Sequence, residues 1–81
     1  MYTYKPNGVC AQSITFDITN NTVSQITFKG GCDGNLKGLA ALAEGMPCSE
    51  AIARLAGITC GNRPTSCPDQ LAQALSAIIN P

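Results

Sequence analysis

Residues 9–18 alternate between apolar and polar. Ile14, Phe16 and Ile18 fall on one face, and Ser13, Thr15 and Asp17 on the other. Period two, with β-branched and aromatic residues, predicts a strand from Val9 to Ile18. Asn20-Asn21 suits a two-residue hairpin turn, because asparagine tolerates positive φ. A second strand is expected from Val23 to Lys29. Ser24, Ile26 and Phe28 should share one face, with Val23, Gln25 and Thr27 on the other. Ile26 and Phe28 should then meet Phe16 and Ile14 across the hairpin.

Gly30-Gly31 permits a sharp exit, and Asp33 or Asn35 can cap a helix beginning near Gly34. Leu36, Leu39, Ala40, Leu42 and Ala43 give that helix an apolar face, and Gly45 stops it. Gly38 interrupts it at a cost of up to about 1 kcal/mol relative to alanine; a close backbone approach would explain its presence. Pro47 opens the next helix. Its stripe is Ile52, Leu55 and Ala56, with Cys48 and Ala51 adjoining, and Gly57 closes it. The last helix, Cys67 to Ile79, buries Leu71, Ala72, Leu75, Ile78 and Ile79. Residues 1–8, with Pro6 and Asn7-Gly8, read as an irregular or edge segment.

The predicted order is ββααα. This is an α+β domain in which a β-hairpin, open to extension by a further strand, is covered on one face by about three helices.

At 81 residues this is one domain. It buries only about 60–65% of its unfolded surface, so a metal, a disulfide or a partner subunit would help it. Net charge is zero and charged residues are 12%, with lysine and arginine scattered. Direct nucleic-acid binding is therefore not expected. There is no apolar run long enough for a membrane span and no signal-peptide pattern after Met1, so a cytoplasmic location is expected. The hairpin edge could pair with a second copy, giving a homodimer.

Five cysteines and no histidine shift attention to sulfur. Cys60 and Cys67 flank a tight Gly/Pro-rich loop. Ser66 and Asp69 have capping-box spacing, which places Cys67 at the first helical position, where the helix dipole favours thiolate. A hairpin would bring Cys10 and Cys32 to one rim. If the helix starts face it, Cys10, Cys32, Cys60 and Cys67 converge as ligands of zinc or another metal. Alternatively, Cys60 and Cys67 form a redox pair. The bland account is buried packing, which suits Cys48 best. Gly30, Gly31, Gly34 and Asn35 resemble an anion nest beside Lys29 and Lys37, although a tight structural turn explains the same glycines. Asp33 and Asp69 read as helix caps, Glu44 and Glu50 as solvated. Without histidine there is no Ser/His/Asp set.

Thr65-Ser66-Cys67-Pro68-Asp69, with Gly8-Val9-Cys10, Phe28-Lys29-Gly30-Gly31-Cys32, Gly34-Asn35-Leu36-Lys37-Gly38 and Gly57-Ile58-Thr59-Cys60-Gly61, resembles the TSCPD domain family. Its members are small free-standing proteins, related to a C-terminal domain of coenzyme B12-dependent (class II) ribonucleotide reductases. The resemblance implies a link to deoxyribonucleotide and DNA synthesis, and a larger reductase or thiol protein as partner. It points to oxidoreductase and nucleotide-binding chemistry in those relatives. A complete ribonucleoside-diphosphate reductase, with its barrel, nucleotide pocket and cofactor, does not fit in 81 residues. Cys10, Cys32, Cys60 and Cys67 lie in the family-like segments; Cys48 does not.

Overall fold

The computed structural model describes residues 1–31 and 33–80. Three strands, β1 (Tyr2–Tyr4), β2 (Ala11–Thr19) and β3 (Thr22–Gly30), form an antiparallel sheet in the order β1-β2-β3. Three helices follow: α1 (Asp33–Ala43), α2 (Cys48–Leu55) and α3 (Cys67–Ile79). The expected hairpin in ββααα order is thus corrected to βββααα, still α+β. Tyr-Thr-Tyr is too short to show a period. Its residues are nonetheless good strand formers, and Tyr2, Thr3 and Tyr4 pair with Phe16, Thr15 and Ile14. Tyr2 also stacks on Phe16, ring centroids 5.8 Å apart. Because residues 5–10 form the β1–β2 connection, β2 starts at Ala11 rather than Val9, and Cys10 lies in a loop.

The hairpin turn is as expected: Asn20 and Asn21 both have positive φ (52° and 61°) and Thr19 pairs with Thr22. Ile14 faces Phe28 across the ladder. The face assigned to Val23 is corrected. The register shifts between Thr15/Thr27 and Asp17/Ser24, where Gln25 adopts φ 53°. This bulge reverses the alternation, so Val23 and Ile26 are both buried against the core. Glu44, expected to be merely solvated, accepts the Gln25 backbone N–H at 2.8 Å and so satisfies the bulge.

The core joins Ile14, Phe16, Val23 and Ile26 of the sheet to Ala43, Cys48, Ala51, Leu71, Ala74 and Leu75 of the helices. Gly45 (φ 79°) follows α1 in the left-handed region. Its N–H donates to the Val23 carbonyl (2.8 Å), the Val23 N–H to the Met46 carbonyl (3.0 Å), and the Cys48 N–H to the Asn21 carbonyl (2.7 Å). This segment therefore runs along the start of β3. Pro47 is the N-cap of α2 rather than a residue of its first turn. The close approach expected at Gly38 is absent, since a Cβ there would meet nothing within 4 Å. No described helix is long and apolar enough to cross a membrane.

Candidate functional site

The start of α3 carries two structures side by side. The first is a polar clamp. Ser66 is the N-cap, as its spacing predicts: its Oγ accepts the Asp69 N–H (3.2 Å) and donates to the Ile58 carbonyl (2.6 Å). The other half of the expected capping box is not formed. Instead, the Asp69 carboxylate accepts from the Gly57 N–H (2.8 Å), from the Thr65 hydroxyl, and from Gln73 Nε2 (2.8 Å). The Gly57 N–H lies at the turn after α2, and Asp69 is its partner there. Gln70 Nε2 donates to Thr65 Oγ1 (2.9 Å), while Gln70 Oε1 accepts the Asn7 N–H (3.1 Å).

Thr65, Ser66, Asp69 and Gln70 are all buried, and no buried side-chain nitrogen or oxygen among the described residues lacks a partner. The clamp ties α3 to the α2–α3 connection and to the loop before β2. Hydrogen bonds from Thr65 and from the Gly57 backbone, helped by Gln73, hold the Asp69 carboxyl below its ordinary pKa; burial opposes them and loses.

The second structure is an open cleft of ≈ 290 Å³, walled by Val9, Leu36, Leu39, Ile58 and Pro68. Cys10, Cys60 and Cys67 line it, with Asn35 and Arg63. Cys67 is half-buried at the first position of α3; Cys10 and Cys60 are exposed, and none of the three is in a disulfide. The Cys60 N–H donates to the Thr65 carbonyl (3.2 Å) and the Arg63 N–H to the Cys60 carbonyl (3.0 Å), which closes the loop between Cys60 and Cys67. Arg63 Nη1 lies 3.4 Å from the Gly8 carbonyl and 3.7 Å from Cys10 Sγ.

Three of the four cysteines singled out by sequence thus share one cleft. Cys32, the fourth, lies outside the described residues. Among the described residues, no group of three or more Cys, Asp or Glu side chains is arranged to hold a metal ion. Cys48 is fully buried in the core, where burial pushes its thiol up. This is the packing role its place beside the α2 stripe implied.

The glycine segment reads as a tight turn. Gly30 (φ 82°) pairs with Ala11, and a Cβ on Gly31 (φ 78°) would meet Leu36 Cδ1 at 2.9 Å and the Ala11 nitrogen at 3.2 Å. Gly34 is exposed in the first turn of α1, and Asn35 lines the cysteine cleft. Gly30 and Lys37 border a separate groove of ≈ 260 Å³ between α1 and β3, where Lys37 is paired with Asp33 at 3.1 Å.

Sequence reasoning missed Thr65, Gln70 and Arg63. Thr65 and Gln70 flank the motif's signals without belonging to any apolar stripe. Arg63 is distinguished only by its fold neighbours.

The family model described as TSCPD domain matches residues 2–79, nearly the whole chain. This supports a ribonucleotide-reductase-related domain, the relation expected from the motif. No curated protein and no solved structure gives a match.

Proposed function

Because the chain belongs to the TSCPD domain family, we propose that it is an accessory module of deoxyribonucleotide synthesis whose cleft cysteines hold a zinc ion. What supports this reading is that Cys10, Cys60 and Cys67, from distant parts of the chain, line one cleft. Cys32 would supply the fourth ligand. Thiolates suit zinc in kind, although no three described side chains are arranged to hold an ion; with no histidine in the chain, a four-thiolate site would be closed and structural rather than catalytic.

The described thiols do not by themselves form a finished site, so binding would draw the loop before β2 and the loop after Cys60 toward the start of α3. Metal uptake would then be coupled to folding. The bound ion would fix these loops and shape a surface for a larger reductase in the cytoplasm.

Zinc content of protein purified without chelator tests the reading. About one ion per chain is expected, with a rise in melting temperature on zinc addition. Protein that takes up no zinc and melts unchanged would overturn it.

A second reading rests on the closed Cys60–Cys67 loop, whose two ends both reach the cleft. In it the two thiols give up two electrons and two protons to a disulfide-containing partner, which is reduced to its dithiol. Mass mapping after mild oxidation would find the Cys60–Cys67 bond in that case, and two unmodified thiols otherwise.

A further inference from the structure

Among the described residues, the sheet leaves the edge of β1 uncovered. The outer side of β3 is occupied at its start by the segment after α1. There the Gly45 N–H donates to the Val23 carbonyl, the Val23 N–H to the Met46 carbonyl, and Thr22 bridges Pro47. Glu44 takes the Gln25 N–H, and α1 packs along the strand. The hairpin's other strand, β2, is enclosed between β1 and β3. β1 is different: it pairs with β2 on one side, and no described backbone group pairs with it on the other. Alternate N–H and C=O groups of Tyr2–Tyr4 therefore point outward as a template for a further strand.

The side-chain rows that cross the sheet run out at this edge. Register puts Thr27, Thr15 and Thr3 in one row. Thr15 lies between the buried Ile14 and Phe16, so this row is on the face away from the core. On the core face, Phe28, Ile14 and Tyr4 form a second row, and Phe16 and Tyr2 belong to a third. Tyr2 stacks on Phe16 yet stays 43% exposed. Tyr2-Thr3-Tyr4 reads the same in both directions. A second β1 laid antiparallel about a two-fold axis at Thr3 sets Thr3 against Thr3, and Tyr2 against Tyr4 of the other copy. The threonine row then continues through both sheets, and the row Phe28–Ile14–Tyr4 runs on into Tyr2 and Phe16 of the second copy. Such matched aromatic and threonine pairs are the favourable ones. Charge agrees with this register. It brings Lys5 of one copy opposite Met1 of the other, in the row of Asp17. Asp17 is the one acidic residue in the three strands. Its carboxylate meets the Met1 ammonium at 3.0 Å and is 32% exposed, which leaves it open to a second cation.

We propose that β1 is a dimerisation strand: two copies of this chain pair their Tyr2–Tyr4 edges antiparallel about a two-fold axis at Thr3, joining their sheets into one. The edge that pairs is thus β1, not the hairpin. Pro6 has no N–H to extend the ladder, so pairing is confined to the triplet and its immediate flanks. The two open edges consume each other, and assembly closes at two copies. The contact is small, so the dimer exchanges and its population follows concentration. The inference is independent of the zinc reading, whose proposed ligands lie outside β1.

The test is sedimentation over a concentration series up to about 1 mM, with and without zinc. The wild-type chain should pass from one copy to two in both conditions. Thr3→Lys and Thr3→Glu each set two like charges face to face on the axis, and each should raise the dissociation constant roughly tenfold or more. A one-to-one mixture of the two variants sets opposite charges face to face and should recover association to at least the wild-type level. Thr3 is exposed, so the urea midpoint of each variant should match that of the wild type. Hydrogen exchange of the wild-type chain needs no variant: the Tyr2–Tyr4 amides should gain protection as concentration rises.

A wild-type chain that stays single throughout the series, with amide protection unchanged, would overturn the proposal. Dimerisation that neither charge variant weakens would overturn it too, because the contact would then lie elsewhere. So would a mixture that associates no better than either variant alone, since the axis would then not pass through Thr3. A chain that takes up no zinc and still dimerises in this way would end the zinc reading and keep this inference.

Discussion

The five residues Thr65 to Asp69 are divided between two regions that answer to different physics. Thr65, Ser66 and Asp69 turn inward to a clamp that is buried and fully hydrogen-bonded, with Ser66 also at the edge of the cleft. Cys67 and Pro68 turn to an open cleft. Helix geometry makes the division. At a helix start, the N-cap and the third helical residue lie one above the other, so Ser66 and Asp69 point one way. The first and second helical residues lie between them in sequence and around the helix from them in space. A short motif can therefore face two ways, stability on one side and an open, thiol-lined surface on the other. The clamp's groups carry a large penalty if left without partners. The cleft's thiols carry almost none, because water reaches them.

The sharpest way to break this comparison is at the clamp. Asp69→Ala removes the acceptor for Gly57, Thr65 and Gln73 at once. The expected loss is roughly 2–4 kcal/mol, read as a fall in the urea midpoint. A loss under about 0.5 kcal/mol, the size of an ordinary surface change, would mean that the network is ornamental.

The same carboxylate gives the acid limb its shape. The Asp69 pKa is lower in the folded chain than the roughly 3.9 expected when unfolded. Its contribution is therefore complete above about pH 4 and is lost as pH falls through the folded value, because the unfolded chain takes up the proton first. Asp69→Asn should flatten this part of the stability profile below pH 4, while the wild-type chain keeps its slope.

How much of this could be read from the sequence follows the same division. Ser66 as N-cap, Cys67 at the first helical position and the Asn20-Asn21 turn were legible because each depends on neighbours within four residues. The β1 strand was not. Three residues cannot display a period, and only its pairing with β2 makes it a strand. Val23 was put on the wrong face because strict alternation leaves no room for the bulge at Gln25, which Glu44 stabilises from 19 residues away. In the site, the pattern brings Cys10, Cys32, Cys60 and Cys67 together only if the helix starts face one rim; Cys10, Cys60 and Cys67 do line one cleft, with Cys10 on a loop rather than at a strand start. The turning of Asp69 toward Gly57, and of Arg63 toward Cys10, was not legible, because each joins segments separated by a loop or by most of the chain.

A smaller effect tests whether the two regions exhaust what constrains the helices. Helix α1 gives Asn35, Leu36 and Leu39 to the cleft, while Gly38 lies on its exposed side with open space where a Cβ would go. Nothing described in the fold requires glycine there. Gly38→Ala should stabilise the domain by up to about 1 kcal/mol, through helix propensity and a less flexible unfolded chain. Its urea midpoint should rise and its zinc uptake stay unchanged. A destabilised variant would show that this face of α1 is in contact with something beyond the described chain.

The smallest change in stability is expected at the cysteines proposed as zinc ligands. Cys10→Ser and Cys60→Ser each replace the sulfur of an exposed residue outside the core, and the bond from the Cys60 N–H to the Thr65 carbonyl is a backbone bond that the change leaves in place. In metal-free protein each should shift stability by no more than about 0.5 kcal/mol. Zinc retention should nevertheless fall sharply in both, because a hydroxyl is a poor replacement for a thiolate ligand. The two measurements must move independently. If the serine variants melt early without metal, the cleft cysteines are packing residues and the division of the motif disappears. If the variants melt normally and still hold zinc like the wild type, the cleft remains but its sulfurs are not the ligands. Only unchanged metal-free melting together with lost zinc keeps both halves of the motif in the roles assigned to them.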